Sequence, residues 1–277
     1  MSMQELKGKV AVITGAGSGL GRELAKLCAA EQMKLVLADV DVNGLEETLA
    51  LVSEAEAITR RCDVSKRSEL DALASAAYEA FGQANLLFNN AGVAASGPVW
   101  SSTPEEWEWV MGVNLMGVVH GIQAFVPRML KQGEAAHIVN TGSLAGLTSV
   151  PGSGVYCVSK HGVVTLSECL HHDLQGASAD IGVSVLCPAF FATGIGESER
   201  NRPAELSASN PDGEAYAEFV RAAIAAGRLS AADIARITIE SVKANRFYIL
   251  PHKGARVSVE SRMRDILEDK LPTNPVA

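Results

Sequence analysis

Lys9-Val10-Ala11-Val12-Ile13-Thr14-Gly15-Ala16-Gly17-Ser18-Gly19-Leu20-Gly21 joins an apolar run, a glycine-rich turn and the start of an amphipathic stretch that continues to Glu31. The order strand, turn, helix is what makes a glycine pattern a candidate dinucleotide site. Glycines let the backbone come close to a pyrophosphate, and the first turn of a helix offers it unpaired N–H groups and a partial positive charge. An ordinary strand-to-helix turn rarely needs Gly15, Gly17, Gly19 and Gly21 together. Gly15, Gly17, Ser18, Gly19, Leu20 and Gly21 are therefore read as cofactor-binding. Asp39 ends the next β-branched run, 24 residues after Gly15, where a carboxylate accepts hydrogen bonds from ribose hydroxyls. It would repel a 2′-phosphate, and neither Val40 nor Ser18 supplies a cation, so NAD is expected rather than NADP. The competing role for Asp39 is that of a plain strand-end turn residue.

Outward from this turn, short strands alternate with helix-length stretches. Lys34 to Asp39 precedes Asn43 to Glu54, Ala57 to Arg61 precedes Lys66 to Phe81, and Asn85 to Asn89 precedes Pro104 to Lys131. His137 to Thr141, Tyr156 to Gln175 and Gly182 to Cys187 continue the series. Such alternation predicts an α/β fold of the Rossmann type, a doubly wound parallel sheet of about seven strands with helices on both faces. Sites in these sheets lie at the carboxyl ends of the strands. No repeat or linker divides the chain, so residues 1-277 are expected to form one domain. The alternation breaks after Cys187. Residues 190-228 hold Gly194, Gly196, Pro203, Pro211 and Gly213 and read as an irregular substrate lid with a short helix near Ala215 to Ala226. Ser230 to Lys243 reads as an N-capped helix and Phe247 to Leu250 as a last strand. Residues 251-277 read as a C-terminal extension with a charged helix from Arg256 to Lys270.

The 277 residues are 47% hydrophobic, ample for a large core. A net charge of −8, with no Lys/Arg run longer than two, argues against nucleic acid and anionic membrane as partners. Met1 to Glu5 lacks a basic region followed by an apolar one, and no later segment approaches bilayer-spanning length. A soluble, cytoplasmic protein is expected. The five cysteines, Cys28, Cys62, Cys157, Cys169 and Cys187, contain no Cys-x-x-Cys and read as reduced, mostly structural thiols.

Tyr156-Cys157-Val158-Ser159-Lys160 places a phenol and an ammonium four residues apart, with Ser143 thirteen positions upstream. Apolar residues at Val155, Val158, Val163, Leu166 and Leu170 predict a helix, on which positions i and i+4 share a face. A lysine beside a tyrosine favours the phenolate, so a pKa near ~10 is expected to fall toward working pH and make Tyr156 a general acid or base. Alone, the pentapeptide is better read as a solvated Tyr/Lys pair on a helix surface, and the other motifs must carry the catalytic reading.

Together these residues resemble the short-chain dehydrogenase/reductase (SDR) family. The resemblance rests on the glycine turn from Thr14 to Gly21, Asp63-Val64, Asn89-Asn90-Ala91-Gly92, Asn114 in Val113-Asn114-Leu115, Ser143, and the pair Tyr156 and Lys160, all in family order across Lys7 to Thr193. It implies a nicotinamide-dependent oxidoreductase. Tyr156 would take the hydroxyl proton of a secondary alcohol as hydride leaves the carbinol carbon. Lys160 would assist it and bind the nicotinamide ribose, Ser143 would steady the substrate oxygen, and Asn114 would hold a water linking Lys160 to solvent. The resemblance also places Asp63 and Val64 beside the adenine, and Asn90, Ala91 and Gly92 near the riboses, with Asn90 mainly structural. Pro188 and Thr193 would lie against the nicotinamide. Homodimers or homotetramers are implied as well.

Two departures stand out. The family's Pro-Gly after the sixth strand is Pro188-Ala189 here, and the common Asp-Gly-Gly ending is replaced by Tyr248-Ile249-Leu250-Pro251-His252 and a charged tail. Val93, Val99, Trp100, Leu144, Leu147, Val150, Phe190, Phe191 and Ile195 are expected to wall the substrate pocket, favouring a neutral, largely apolar alcohol or ketone. Trp100, Trp107 and Trp109 are expected to pack a helix start. His161, His171 and His172 lack metal-ligand spacing, so no metal is expected. The alternatives are an NADP-linked carbonyl reductase and a dinucleotide-binding sensor or scaffold without turnover, and retention of Ser143, Tyr156 and Lys160 counts against the latter.

Overall fold

β1 (Val10–Thr14) is buried at all five positions because it lies inside a parallel sheet covered on both faces. Its alternate side chains feed two cores. Ala11 and Ile13 pack on the face carrying Leu20, Leu24, Ile234 and Ile239, whereas Val10 and Val12 pack with Leu70, Leu73, Phe125 and Met129 on the other. The structure, a computed structural model, describes residues 3–276; Met1, Ser2 and Ala277 of the expected single domain lie outside the described residues.

The remaining strands are β2 (Lys34–Asp39), β3 (Ala57–Arg61), β4 (Leu86–Asn89), β5 (Ala136–Thr141), β6 (Ile181–Leu186) and β7 (Tyr248–Ile249). They form a seven-stranded sheet in the order β3-β2-β1-β4-β5-β6-β7, every pair parallel. This is the Rossmann-type fold predicted. The order reverses between β1 and β4, so their carboxyl ends open the crevice where such sheets bind ligands. The helices are α1 (Gly19–Ala30), α2 (Val42–Leu51), α3 (Arg67–Phe81), α4 (Pro104–Met111), α5 (Gly117–Gln132), α6 (Gly154–Gly176), α7 (Glu214–Ala225), α8 (Ala231–Lys243) and α9 (Ala255–Leu267).

The helix expected from Pro104 begins with a capping box. Thr103 Oγ1 accepts from Glu106 N at 3.2 Å while Glu106 Oε2 accepts from Thr103 N at 2.8 Å. The helix is not uniformly α. Between α4 and α5, Gly112–Met116 widens into a π-helical turn carrying Asn114, a feature common at functional sites. The stretch Pro104–Gln132, 29 residues, also corrects the expectation that nothing approaches bilayer length: by length and composition it could cross a membrane. Half of its most apolar window is buried inside the protein, the state of a core helix.

Residues 190-228 are less irregular than predicted. The 3₁₀ turns Gly194–Asn201, Ala204–Leu206 and Pro211–Gly213 lead into α7. After β7, Ala255 N donates to His252 O at 3.1 Å and starts α9. The chain then doubles back, with Thr273 N donating to Asp265 Oδ2 at 2.8 Å.

Candidate active site

Gly15 sits at φ +68°, and a Cβ there would lie 2.8 Å from Ala91 Cα. Only glycine lets the turn approach the end of β4 so closely. At Gly21 a Cβ would collide with the Gly15 carbonyl, so α1 packs directly on the turn. Ser18, the N-cap of α1, makes no side-chain cap bond, which leaves first-turn N–H groups available to an anion. Asp39 is fixed by two main-chain donors, Gly17 N at 2.8 Å to Oδ2 and Asp41 N at 3.0 Å to Oδ1. At the next strand end, Asp63 Oδ1 accepts from Ser65 N at 3.0 Å and Ser65 Oγ at 2.7 Å. Asn90 ties strand ends together: Nδ2 donates to Thr14 O at 3.0 Å, and Oδ1 accepts from Thr141 Oγ1 at 3.4 Å.

Tyr156 and Lys160 occupy successive turns at the start of α6. Lys160 is 2% exposed, and its Nζ donates to Thr141 O at 2.7 Å while lying 5.7 Å from the Tyr156 ring centroid. Burial pushes the Tyr156 phenol up to about 12, with the Ser143 hydroxyl acting in the opposite sense. Burial also brings the Lys160 ammonium down to about 8. The phenol therefore stands above its ordinary value and not below it as the Tyr/Lys pairing was expected to place it, burial being the largest influence on it. Ser143 stands at the end of β5, its Oγ accepting from Ala145 N at 3.1 Å and donating to Pro188 O at 3.4 Å.

Asn114 is fully buried. Its Oδ1 accepts from Val93 N at 2.8 Å, and Nδ2 donates to Val93 O at 2.9 Å and Ser159 Oγ at 3.1 Å. Ser159 Oγ in turn donates to Tyr156 O at 2.8 Å. The π-helical turn is thereby latched to the helix that carries Tyr156 and Lys160.

A cavity of about 1010 Å³ runs across the carboxyl ends of the strands. Gly15, Ser18, Gly19, Leu20, Gly21, Asp39, Asp63, Val64, Asn90, Ala91, Gly92, Ser143, Tyr156, Lys160, Pro188 and Thr193 all line it. Gly17 and Asn114 do not; the first braces Asp39 and the second lies behind Val93. Of the expected substrate wall, Val93, Leu144, Val150, Phe190, Phe191 and Ile195 face the cavity, whereas Val99, Trp100 and Leu147 do not. Trp100 is 87% exposed and packs no helix start. The uncapped helix start, the Cβ-free turn and the pinned Asp39 carboxylate fit a nicotinamide dinucleotide. No group of three His, Cys, Asp or Glu side chains suited to a metal occurs among the described residues.

A family model for short chain dehydrogenases matches residues 9–204. The chain belongs to the short chain dehydrogenase family. Its members include the CLA biosynthesis dehydrogenase/reductase of Lactiplantibacillus plantarum, 36% identical over 98% of this chain and 97% of that protein. The C alpha-dehydrogenase of a Sphingobium species is 34% identical over 98% of this chain and 89% of that protein. A Burkholderia phymatum short chain dehydrogenase/reductase, solved in complex with NAD, superposes with a TM-score of 0.97 at 49% identity, covering 99% of this chain and 100% of the other. This short chain dehydrogenase is accordingly an oxidoreductase with a Rossmann fold.

Several residues of the site escape the family's motifs. Thr141 holds Lys160 through its main chain, which no side-chain pattern announces. Ser198, within the polar run Glu197 to Arg200, accepts from Ala94 N at 3.0 Å and donates to Ala94 O at 3.2 Å, joining residues 190-228 to the loop after β4. Trp109 is buried at 3% exposure yet lines the cavity. Ser258 of α9, Pro275 and Val276 bring the C-terminal extension to the cavity wall.

Proposed function

We propose that this short chain dehydrogenase transfers hydride between a neutral, largely apolar secondary alcohol, or its ketone, and NAD. The observation carrying this proposal is that Ser143, Tyr156 and Lys160 line the same cavity as Asp39 and the glycine turn. The dinucleotide, when bound, supplies the hydride acceptor or donor. In oxidation the Tyr156 phenolate oxygen takes the carbinol hydroxyl proton, while the Ser143 hydroxyl donates to the substrate oxygen. In reduction the protonated phenol, the dominant form for a group lifted to about 12, gives that proton back. Lys160, positively charged below about 8, stabilises the phenolate when it forms. Asn114 is the fourth member, acting by holding the Val93 loop and the first turn of α6 in register.

NAD is favoured over NADP because the Asp39 carboxylate would face a 2′-phosphate. The basic residues nearby are engaged: Arg61 with Glu69 at 3.3 Å and Lys66 with Asp63 at 3.5 Å. Leu144, Val150, Phe190 and Ile195 make the substrate wall apolar, residues 190-228 act as its lid, and the working form is a homodimer or homotetramer. The test is absorbance at the reduced-nicotinamide band across a panel of secondary alcohols, including cyclohexanol and α-methylbenzyl alcohol, and their ketones. Tyr156→Phe should lower kcat by about three orders of magnitude with little change in NAD affinity. A fully active Tyr156→Phe enzyme rules the mechanism out.

A further inference from the structure

The peptide unit joining Pro188 and Ala189 is held at both ends. Its carbonyl, on Pro188, accepts from Leu144 N at 2.8 Å and from Ser143 Oγ at 3.4 Å. Its N–H, on Ala189, donates to His252 Nδ1 at 3.1 Å. A peptide is planar and rigid, so a group that fixes the N–H also fixes the direction of the carbonyl. The 3.4 Å bond to Ser143 is long and readily exchanged for a substrate oxygen, whereas the 2.8 Å bond to Leu144 anchors the main chain beside Ser143.

His252 is poorly explained as packing. The acceptor lone pair on Nδ1 leaves the proton on Nε2, which is buried and makes no well-formed hydrogen bond among the described residues, although the Phe190 main chain lies beside the ring. An apolar side chain could fill the space but would orphan the Ala189 N–H, so the imidazole is placed there as an acceptor and not merely as filler. His252 also lies in the strap between β7 and α9, where this chain leaves the family pattern, and it bonds to Ala189, the other departure.

We propose that His252 is a positioning residue, orienting the Pro188–Ala189 peptide so that its carbonyl holds Ser143 and Leu144 in register with Tyr156. The role rests on the catalytic assignment of Ser143 and Tyr156 above. Asparagine at this position can present Oδ1 where the imidazole presents Nδ1, whereas glutamine carries its oxygen one atom too far.

The experiment compares His252→Ala, His252→Asn and His252→Gln in the full chain. One readout is kcat and KM on the best alcohol of the panel, with NAD affinity as control; the other is amide exchange of Leu144 followed by NMR. His252→Ala should lower kcat at least tenfold, leave NAD affinity within twofold, and speed Leu144 exchange at least tenfold. His252→Asn should restore most of both, and His252→Gln should not. Equal behaviour of the two amide variants, or unchanged Leu144 exchange in His252→Ala, overturns the proposal. Tyr156→Phe separates the two levels: if it stays active the catalytic assignment fails, whereas Leu144 exchange still decides the role of His252.

Discussion

Lys160 Nζ is bonded to the main-chain oxygen of Thr141 at 2.7 Å, with Tyr156 above it on the preceding turn of α6. The ammonium is thus anchored to the sheet, and its charge is confined to the floor of the cavity. Such a buried cation is costly. Lowering from 10.5 to about 8 corresponds to roughly 3 kcal/mol against the folded state while the group is charged.

Lys160→Met should therefore be catalytically inert but more stable than the parent at neutral pH. Losing the buried charge gains about 3 kcal/mol, and the orphaned Thr141 carbonyl gives back about 1 kcal/mol, for a net rise in Tm of about 4 °C. The sign follows from the proton count. Below about 8 the lysine is charged folded and unfolded, and the penalty is complete. Between about 8 and 10.5 the unfolded chain binds more protons, so the parent gains stability as pH rises and the difference narrows. Melting curves of both proteins from pH 7 to about 10 check this. A Lys160→Met protein that melts below the parent at pH 7 contradicts it.

Asp39 separates charge from geometry. Asp39→Asn removes the charge but keeps an oxygen for Gly17 N or Asp41 N, whereas Asp39→Ala frees both donors. Asp39→Asn should shift the NAD/NADP affinity ratio toward NADP by about tenfold with little change in Tm. Asp39→Ala should make a similar shift and also lower stability by about 1 kcal/mol. Fluorescence titration with both dinucleotides measures it, and an unmoved ratio in both variants would remove Asp39 from cofactor selection.

The fold was legible because its signals are local and repeated: each strand of the alternation needed only a β-branched run and the amphipathic stretch after it. The glycine turn was legible because Gly15 and Gly21 are required by close approach of backbone, which leaves a mark in sequence. What stayed hidden is of four kinds. The π-helical turn at Asn114 adds a residue to a helix whose apolar pattern hardly changes. The anchor of Lys160 is a carbonyl, which every residue possesses. Trp100 lies in the turn before α4 and is solvated, whereas Trp109 lies within α4 and walls the cavity, a difference the residue type does not announce. The balance of burial against charge at Tyr156 likewise depends on three-dimensional enclosure.

Ser198 yields the prediction that bears most directly on substrate entry. Ser198 is 4% exposed, and its hydroxyl satisfies both main-chain groups of Ala94, accepting at 3.0 Å and donating at 3.2 Å. Ala94 lines the cavity, as do Thr193, Gly194 and Ile195 just ahead of Ser198, so this side chain joins the two walls beside the substrate end, with Asn210 on Glu106 and Arg202 over Trp109 as further links. Ser198→Ala leaves the Ala94 N–H and C=O without that partner, at about 1–2 kcal/mol. The loss is recovered where the segment near Ser198 shifts from the loop and admits water. Alcohol KM should then rise about tenfold, while NAD affinity, under the proposed assignment of its site to Asp39 and the glycine turn at the far end of the cavity, stays within about twofold. Limited tryptic cleavage after Arg200 should quicken in parallel. An unchanged KM with faster proteolysis would mean that the segment opens freely without gating substrate.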